Sequence, residues 1–379
     1  MNEVCIVAAR RTPFGRFLGS LSRLSAVDLA GHAAEIALTD IDRAKIDQVI
    51  VGNILGAGLG MNIARQVGVN CGLPISTPAF TVNMMCASGM QAISLAAQAI
   101  RAGDAKAVLC GGTESMSNAP HLLARSRTGI KLGDGKLVDS LLRDGLVDAF
   151  DHRHMAFTAE ALAAKYQISR EAQDEFAAQS QWRFAAAQAK GAFADELVTH
   201  DKLASDEHPR PDTTSDSLAE LRPAFDAEGT VTAGNASGIN DGAAMLVLTS
   251  REHALANHWP IMAIIENTAS AGCDPKEMGL GPVHAIRQLK NPSLDRFDAI
   301  EINEAFAAQV LACVQELELT GDRINTHGGA IALGHPIGAS GARLVTHLAW
   351  QIQRGEIKSG LASLCVGGGM GSAIALSAA

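Results

Sequence analysis

The octapeptide IDQVIVGN, at residues 46–53, recurs in altered form 251 residues later as FDAIEINE, at residues 297–304. Two further matches lie at similar offsets. Ala87-Ser88-Gly89 matches Ala339-Ser340-Gly341 at an offset of 252, and residues 107–112 match residues 362–368 at an offset of about 256. Self-similarity at one offset indicates that a supersecondary unit is present more than once. The sequence therefore predicts two copies of one unit, packed face to face.

The composition of each copy favours an α/β fold. Short β-branched runs alternate with alanine-rich helical stretches, which is the pattern of strands connected by helices. The runs Val4–Ala8, Val49–Gly52 and Ala107–Cys110 are each predicted to be buried strands.

The stretch from about residue 119 to residue 234 separates the copies and has fewer strand signals and more polar residues. Ser169 is a candidate N-cap for a helix whose Phe176, Ser180 and Phe184 share one face. Residues 206–212 have the Pro and Asp density of a surface loop. We expect an N-terminal half at 1–118, completed by about 238–260, an inserted loop domain at 119–237, and a C-terminal half at 261–379.

Charge and hydrophobicity exclude several classes of protein. The 379 residues are 47% hydrophobic and 19% charged, which is enough to bury a large core and excludes wholesale disorder. A formal net charge of −9 argues against a nucleic-acid-binding protein. The sequence has no apolar run of 18 residues that would span a membrane and no room for a signal peptide. We therefore expect a soluble, cytoplasmic enzyme.

Seven cysteines are present, without a Cys-x-x-Cys pair, so neither a disulfide framework nor a metal site is expected. Cys86 follows an extended apolar run and precedes a helix that opens at Gly89. A helix N-terminus favours a thiolate and can lower the thiol pKa by about a unit or more. These features favour a nucleophile, although a buried structural cysteine is the commoner role.

Two glycine-rich segments carry the other candidate groups. GGAIALGHPIGASG, at residues 328–341, places His335 where backbone can approach closely, so His335 is either a general base or a hydrogen-bonded core histidine. LASLCVGGGMG, at 361–371, delivers Cys365 to a glycine turn whose amides could bind an oxyanion. Asn303 and Glu304 lie at a strand end, where a helix cap is the alternative role.

Taken together and in order, these motifs resemble the thiolase family. They are Cys-x-Ser-Gly around Cys86, Asn-Glu-Ala-Phe from Asn303, the Gly-His-Pro segment around His335, and Cys-x-Gly-Gly-Gly-Met-Gly from Cys365. The resemblance runs from the first strand to the last. It implies a five-layer α-β-α-β-α fold of duplicated halves with an inserted loop domain, in agreement with the internal repeat.

The resemblance also implies catalytic roles. Cys86 would accept the acyl group, His335 would activate it, and Cys365 would act as acid and base at the substrate α-carbon and the leaving thiol. Asn303 would hold a water that, with His335, stabilises a thioester enolate. The backbone amides of Cys86 and Gly367 would form a second oxyanion hole.

By the same resemblance, the loop domain would bind coenzyme A, a substrate and product, and no cofactor is implied. Arg210 and Ser217 would lie beside the adenosine end and Ser237 near the pantetheine. His154-Met155 is similar to the His-Met pair of short-chain thiolases, in which Met fills the acyl end of the pocket. This pair favours acetyl and acetoacetyl groups.

The expected reaction is that of an acetyl-CoA C-acetyltransferase, in which two acetyl-CoA exchange with acetoacetyl-CoA plus CoA. The alternative is a broader 3-ketoacyl-CoA thiolase of fatty-acid degradation. Decarboxylating synthases share only the nucleophile, and a non-catalytic acyl-CoA-binding paralogue would be expected to lack a catalytic side chain. The resemblance further implies a homotetramer, a dimer of dimers, with tetramer contacts in the segment after Ala119.

Overall fold

The computed structural model describes residues 3–290, 293–320 and 322–379. The strands in these ranges are β1 (Val4–Arg11), β2 (Gly15–Arg16), β3 (Gln48–Gly52), β4 (Ala79–Val82), β5 (Ala107–Ser115), β6 (His121–Leu123), β7 (Leu137–Asp139), β8 (Asn240–Ser250), β9 (Ala263–Gly272), β10 (Ala299–Ile302), β11 (Ser359–Val366) and β12 (Met370–Ser377). The predicted strands at residues 4–8, 49–52 and 107–110 are confirmed as parts of β1, β3 and β5.

The helices over the same ranges are α1 (Ala26–Ala37), α2 (Ile63–Asn70), α3 (Ser88–Ala102), α4 (Ala156–Lys165), α5 (Arg170–Ala189), α6 (Ser215–Ala219), α7 (Arg251–Ala256), α8 (Gly281–Arg287), α9 (Ala307–Glu316), α10 (Ala330–Leu333) and α11 (Ser340–Gln353). Within this described part of the chain, every helix is too short or too polar to cross a lipid bilayer.

The strands form two halves of matching order. The N-terminal half runs β4-β3-β5-β8-β1, and the C-terminal half runs β10-β11-β12-β9. Ile324 forms a parallel bridge to the outer side of β10, at Ile300. It thereby takes the edge position that β4 holds in the other half. Short antiparallel pairing between β1 and β9 joins the halves.

Three clusters of buried apolar residues show how the helices pack on these sheets. One cluster lies between the halves and includes Ile93 of α3 and Leu348 of α11. A second lies against α1 and α2 on the outer face of the N-terminal half. The third lies against α8 and α9 on the outer face of the C-terminal half. Helices and sheets therefore alternate in five layers, with α3 and α11 as the central layer.

The internal repeat is borne out by the strand pairing, but one of its three matches was misaligned. Gln48 pairs with Val108 in the first copy, and Ala299 pairs with Gly360 in the second. The equivalent of Val108 is therefore Gly360, at an offset of 252 rather than about 256. The match of residues 107–112 with residues 362–368 was therefore displaced by about four residues along the chain.

The two central helices meet at their N-terminal ends through glycines. A Cβ on Gly89 would lie 3.1 Å from the backbone nitrogen of Ala342, and one on Gly341 would lie 2.9 Å from that of Met90. Real Cβ atoms rarely approach backbone so closely, so both positions require glycine. This contact brings the first turns of α3 and α11 together, and with them the segments that precede each helix.

The segment between β5 and β8 contains helices α4, α5 and α6. Ser169 caps α5 as predicted, accepting a hydrogen bond from the Ala172 amide. Residues 206–212 form a loop, but Asp206 is buried, contrary to the expectation of a surface position. Its carboxylate pairs with the guanidinium of Arg11 on β1 at 2.7 Å, and this ion pair fixes the loop to the N-terminal half.

Candidate active site

A cavity of about 480 Å³ lies where the two halves and the segment between β5 and β8 meet. Its lining includes both cysteines and the histidine singled out from the sequence, namely Cys86, Cys365 and His335, together with Gly367. These residues come from three loops or strand ends that are distant in the chain. The contact between α3 and α11 is what brings them to one place.

Cys86 lies in a tight turn between β4 and α3. The strand ends at Val82, earlier than the extended run had suggested, and Met85 adopts a left-handed conformation with φ of 46°. The Ser88 hydroxyl accepts a hydrogen bond from the Met84 amide at 2.9 Å and donates one to the Met85 carbonyl at 2.7 Å. This turn holds the sulfur at the N-terminal end of α3, in the cavity wall.

The prediction that the helix N-terminus lowers the pKa of Cys86 is wrong for this structure. Burial raises the pKa of the Cys86 thiol to about 11, although hydrogen bonds from the backbone amides of Gly367 and Cys86 act in the opposite direction. Desolvation of a thiolate outweighs these hydrogen bonds because the surrounding lining is largely apolar. The nucleophile candidate is therefore a neutral thiol in the free protein.

The imidazole of His335 has a defined tautomer. Its Nδ1 lies 2.6 Å from the Ser340 hydroxyl, and that hydroxyl donates its own hydrogen to the Pro336 carbonyl at 3.0 Å. Ser340 must therefore accept from Nδ1–H, which leaves Nε2 as the proton acceptor. Burial lowers the pKa of His335 to about 4, with a smaller effect from the Arg343 charge, so the imidazole is neutral and can accept a proton.

Four side chains hold the segment that carries His335 by accepting from its backbone amides. Ser180 binds the amide of Gly329, and Glu304 binds that of Ile331. Asn240 binds that of His335 at 2.9 Å, and Glu114 binds that of Gly338 at 3.1 Å. Asn240 and Glu114 belong to the N-terminal half, so that half positions a histidine of the other half.

Cys365 lies near the end of β11 and is almost fully buried. Burial raises its pKa well above the ordinary value of a thiol, and the nearby charge that Cys86 would carry as a thiolate acts in the same direction. The turn that follows has left-handed glycines at Gly368 and Gly369. This turn aims the Gly367 amide at the Cys86 sulfur.

Asn303 follows β10 directly and is fully buried. Within the described residues, neither its side-chain oxygen nor its nitrogen has a hydrogen-bond partner. Its neighbour Glu304 is not a cap of α9. The Glu304 carboxylate instead accepts from Ser180, Asn325 and the first turn of α10, so it orders the segment leading to His335.

Four of the five residues expected at the substrate line the cavity: His154, Met155, Arg210 and Ser237. The Nδ1 atom of His154 accepts from the Ala156 amide at 3.1 Å, which leaves Nε2–H as a donor. Its ring stacks on Phe225 with centroids 4.4 Å apart. Ser217 lies outside the lining; its hydroxyl donates to the Thr214 carbonyl in the cap of α6.

Other lining residues were not identified from the sequence. His208 lies two positions before Arg210 in the loop of residues 206–212, where no periodic pattern in the sequence indicates which side chains face the cavity. Phe225 and Met278 carry no signal in the sequence, because both reach the cavity only through the tertiary fold. Most of the additional lining is apolar, which agrees with the raised pKa of Cys86.

His327, for which the sequence offered no role, belongs to a buried polar cluster beneath this segment. Its Nδ1 lies 3.0 Å from Nε2 of His347. The other nitrogen of His347 lies 2.8 Å from Glu196, which also pairs with Arg11 at 2.6 Å. The cluster connects α11 to β1 and to the segment after α5.

Sequence comparisons identify the family. The pattern that defines the thiolase N-terminal domain matches residues 4–252, and that of the thiolase C-terminal domain matches residues 259–378. The chain belongs to the thiolase family. The thiolase fold expected from the motifs is thereby confirmed, together with the enzyme class of acyltransferases.

Relatives match this thiolase over nearly its whole length. An acetyl-CoA acetyltransferase from Chromobacterium violaceum is 49% identical over 99% of both chains, and one from Escherichia coli is 48% identical over 99% of both chains. Human mitochondrial 3-ketoacyl-CoA thiolase, solved in complex with CoA, has a TM-score of 0.97 and 43% identity, covering 100% of this chain and 98% of that one.

We predict that Ser340→Ala slows alkylation of Cys86 by iodoacetamide about fivefold at pH 7. Loss of one buried hydrogen bond costs about 1 kcal/mol, and without it the proton of His335 is no longer held on Nδ1. The rate would be followed by mass spectrometry of the peptide containing Cys86. Ser140→Ala is the matched control, because Ser140 also donates to a proline carbonyl, that of Pro120, and forms no hydrogen bond with a histidine among the described residues.

Stability should fall as the pH is lowered from 6.5 towards 4. Burial lowers the pKa of His208, His327 and His335 to about 4. In this window the unfolded chain binds more protons than the folded one, so acid favours unfolding. The raised pKa values of three carboxyl groups, Glu114, Asp241 and Glu304, oppose this. The lowered pKa values of three further histidines, His154, His200 and His253, add to it. The free energy of unfolding, measured with urea, should be on the order of 3 kcal/mol higher at pH 7 than at pH 5. Equal urea midpoints at the two pH values would contradict the lowered pKa values of these histidines.

Proposed function

We propose that this thiolase is an acetyl-CoA C-acetyltransferase, interconverting two acetyl-CoA with acetoacetyl-CoA plus CoA through an acyl-enzyme on Cys86. The observation that carries the proposal is one apolar cavity lined by two cysteines and a neutral histidine, with two backbone amides directed at the Cys86 sulfur. Relatives of nearly half identity over their full length bear the name of this activity.

In the first half-reaction, the Cys86 thiol attacks the thioester carbonyl of acetyl-CoA and its proton moves to Nε2 of His335. The amides of Cys86 and Gly367 donate to the developing oxyanion, which is the largest single contribution in many acyl transfers. The CoA thiolate leaves with the proton of Cys365. The enzyme then holds an acetyl group on Cys86, an imidazolium at His335 and a thiolate at Cys365.

In the second half-reaction, the Cys365 thiolate removes a proton from the α-carbon of a second acetyl-CoA. A thiol whose pKa is strongly raised is a strong base once deprotonated, which is what a weak carbon acid requires. The enolate attacks the acetyl group on Cys86 to form acetoacetyl-CoA. Cys86 leaves as a thiolate and recovers its proton from His335, so every proton is accounted for.

Asn303 and the His335 imidazolium would stabilise the enolate oxygen. The unpartnered, buried amide of Asn303 has the hydrogen-bonding capacity to hold a water at this position, since buried amides are almost always satisfied by protein or water. The imidazolium supplies the positive charge at the step in which the enolate carries its negative charge. His335 thus serves as base in one half-reaction and as electrostatic stabiliser in the other.

Coenzyme A would enter past Arg210, which lies exposed in the cavity lining, and past Ser237 and His154 further in. An exposed guanidinium suits the phosphates at the nucleotide end, and the hydroxyl and the Nε2–H group suit the amides of pantetheine. Ser217 remains a proposed contact for the adenosine end, with its hydroxyl shared with the cap of α6. Coenzyme A acts here as substrate and product, and no cofactor is proposed.

Met155 supports the short-chain substrate over the broader alternative. Its terminal methyl carbon would lie 3.2 Å from a Cβ on Gly367, and that of Met85 would lie 3.5 Å from the same point. Two methionine ends therefore meet beside the proposed oxyanion hole and limit the space for an acyl chain. The resemblance in fold to a 3-ketoacyl-CoA thiolase keeps the longer-chain reaction as the alternative.

We also propose a homotetramer with contacts in the segment after Ala119. This segment includes β6 and β7 and exposes several apolar side chains, among them Leu132, Leu137 and Ile130. Clustered apolar side chains of this kind are typical of protein–protein contact surfaces. Coenzyme A and three further copies of the chain are the partners that the proposal requires.

CoA-dependent cleavage should be fast for acetoacetyl-CoA and at least about 100-fold slower for a ten-carbon ketoacyl-CoA, because accommodating each added methylene in a filled pocket costs about 1–3 kcal/mol. The assay compares kcat/KM for a series of four-, six-, eight- and ten-carbon substrates. Rates that rise steadily with chain length would favour the broader thiolase. Cleavage of none of them by folded protein would overturn the proposed function.

The two cysteines should differ in single turnover with radiolabelled acetyl-CoA. Cys86→Ala should incorporate no label, since it lacks the sulfur that accepts the acetyl group. Cys365→Ala should incorporate label at Cys86 but form no acetoacetyl-CoA, since it lacks the base for the α-carbon. Label distribution is read by peptide mapping, and equal labelling of the two variants would contradict these roles.

A further inference from the structure

One buried carboxyl group contacts the His335 segment without a role in the reaction described above. Glu114 lies near the end of β5 and is fully shielded from solvent. No lysine or arginine among the described residues forms an ion pair with it. A carboxylate buried without a cation is costly unless hydrogen bonds stabilise it, so its retention points to a requirement for its bonds.

The carboxylate accepts four hydrogen bonds, two on each oxygen. Oε1 accepts from the side-chain amide of Asn53 at 2.7 Å and from the Leu55 backbone at 3.1 Å. Oε2 accepts from the Ile54 backbone at 3.1 Å and from the Gly338 backbone at 3.1 Å. Four donors fill the lone pairs of the ionised form. Burial raises the pKa of Glu114 to about 8, although the four hydrogen bonds act in the opposite direction, so all four bonds are complete above that pH. A protonated or amide side chain in the same place would have to lose at least one of them.

These four bonds connect the two halves of the molecule. Three donors belong to the loop that follows β3 in the N-terminal half. The fourth, Gly338, lies three residues after His335 in the C-terminal half and 224 positions away in the chain. Glu114 is therefore a direct polar link from the strand beside the Cys86 helix to the segment that carries the histidine.

The backbone around Gly338 has too little free space to shift without moving its neighbours. A Cβ on Gly338 would lie 2.5 Å from the Thr113 carbonyl oxygen, and a Cβ on Gly112 would lie 2.0 Å from the Gly338 carbonyl oxygen. A Cβ on Gly89, in the first turn of α3, would lie 2.8 Å from that same oxygen. A displacement of Gly338 is therefore transmitted both to His335 and to the first turn after Cys86.

We propose that Glu114 is a positioning residue for proton transfer between Cys86 and His335: its carboxylate fixes the Gly338 amide and so fixes the imidazole relative to the thiol. Glu114 contacts neither substrate nor reacting atoms and acts through His335; its charge also raises the pKa of the Cys86 thiol, as the smallest of the effects on that group. The proposal rests on the function of the cavity proposed above. A misplacement of about 1 Å at a reacting pair can cost about 100-fold in rate, which sets the scale of the expected effect.

The test compares Glu114→Gln and Glu114→Asp with the unsubstituted enzyme at pH 9, where Glu114, whose pKa burial raises to about 8, is ionised. Gln keeps the size but replaces one acceptor oxygen with a donor, so kcat for cleavage of acetoacetyl-CoA should fall about 10- to 100-fold, with KM for CoA changed less than about twofold. Asp keeps the charge on a shorter side chain and should recover part of the loss. Asp47→Asn is the matched control, because Asp47 accepts two backbone amides at the other end of β5.

Alkylation of Cys86 by iodoacetamide provides a readout that does not depend on the substrate. Glu114→Gln should slow it about tenfold, and Glu114→Gln combined with His335→Ala should be no slower than His335→Ala alone, because both changes remove the same proton transfer. The positioning role would be overturned by either of two results. In the first, the alkylation rate of the double variant falls by the product of the two single losses; in the second, Glu114→Gln alone leaves the alkylation rate unchanged. Thermal unfolding of each variant identifies loss of folded protein separately.

The two proposals can fail independently. If the unsubstituted enzyme does not cleave acetoacetyl-CoA, the proposed substrate is wrong, yet the alkylation cycle still reports whether Glu114 acts through His335. If cleavage of acetoacetyl-CoA is fast but the two single losses in alkylation rate multiply in the double variant, the proposed function stands and the role of Glu114 is rejected. A KM for CoA that rises with kcat unchanged would also reject it, since that result places Glu114 in substrate binding.

Discussion

The backbone contact between the first turns of α3 and α11 is the constraint on which the site depends. Gly89 and Gly341 allow the two helices to approach until a single added carbon on either would meet backbone of the other. Because the helices are equivalent elements of a duplicated unit, their N-termini point into the same space between the halves. Cys86 precedes one helix and His335 precedes the other. The duplication thus places two different chemical groups side by side, and neither half could form the pair alone.

The close contact between the two helices would not by itself fix the position of His335, because His335 lies on a glycine-rich segment. The structure adds acceptors along that segment, from Ser180 to Glu114, each binding one backbone amide. Main-chain donors are bound with little loss of side-chain entropy, and each bond removes a direction in which the segment could move. The Ser340 hydroxyl then fixes the ring itself. The glycines permit conformational freedom in the segment that carries His335. Polar contacts from the N-terminal half, from the segment between β5 and β8, and from the C-terminal half itself remove that freedom.

Local signals in the sequence predicted what is local in the structure. The strand–turn–helix around Cys86, the strand ending at Cys365 and the cap at Ser169 depend on neighbouring residues, and each was found in place. The sign of the Cys86 pKa shift was wrong because burial arises from tertiary packing that spacing does not encode. Asp206 was expected at the surface because its partner, Arg11, lies 195 residues away. The bond from Gly338 to Glu114 also joins residues that are distant in the chain, so no local pattern could reveal it. The predicted contact of Ser217 with coenzyme A remains a proposal.

The neutral state of Cys86 has a consequence for the chemical durability of the enzyme. Peroxide oxidises thiolates, and a thiol with a pKa of about 11 exposes only a minute fraction of thiolate at neutral pH. The proposed nucleophile is therefore held, in the free protein, in a form that oxidants attack slowly. In the proposed mechanism, charge would develop on the sulfur only when a thioester carbonyl lies against it and His335 receives the proton. Protection from oxidation and activation by substrate thus follow from the same apolar surroundings.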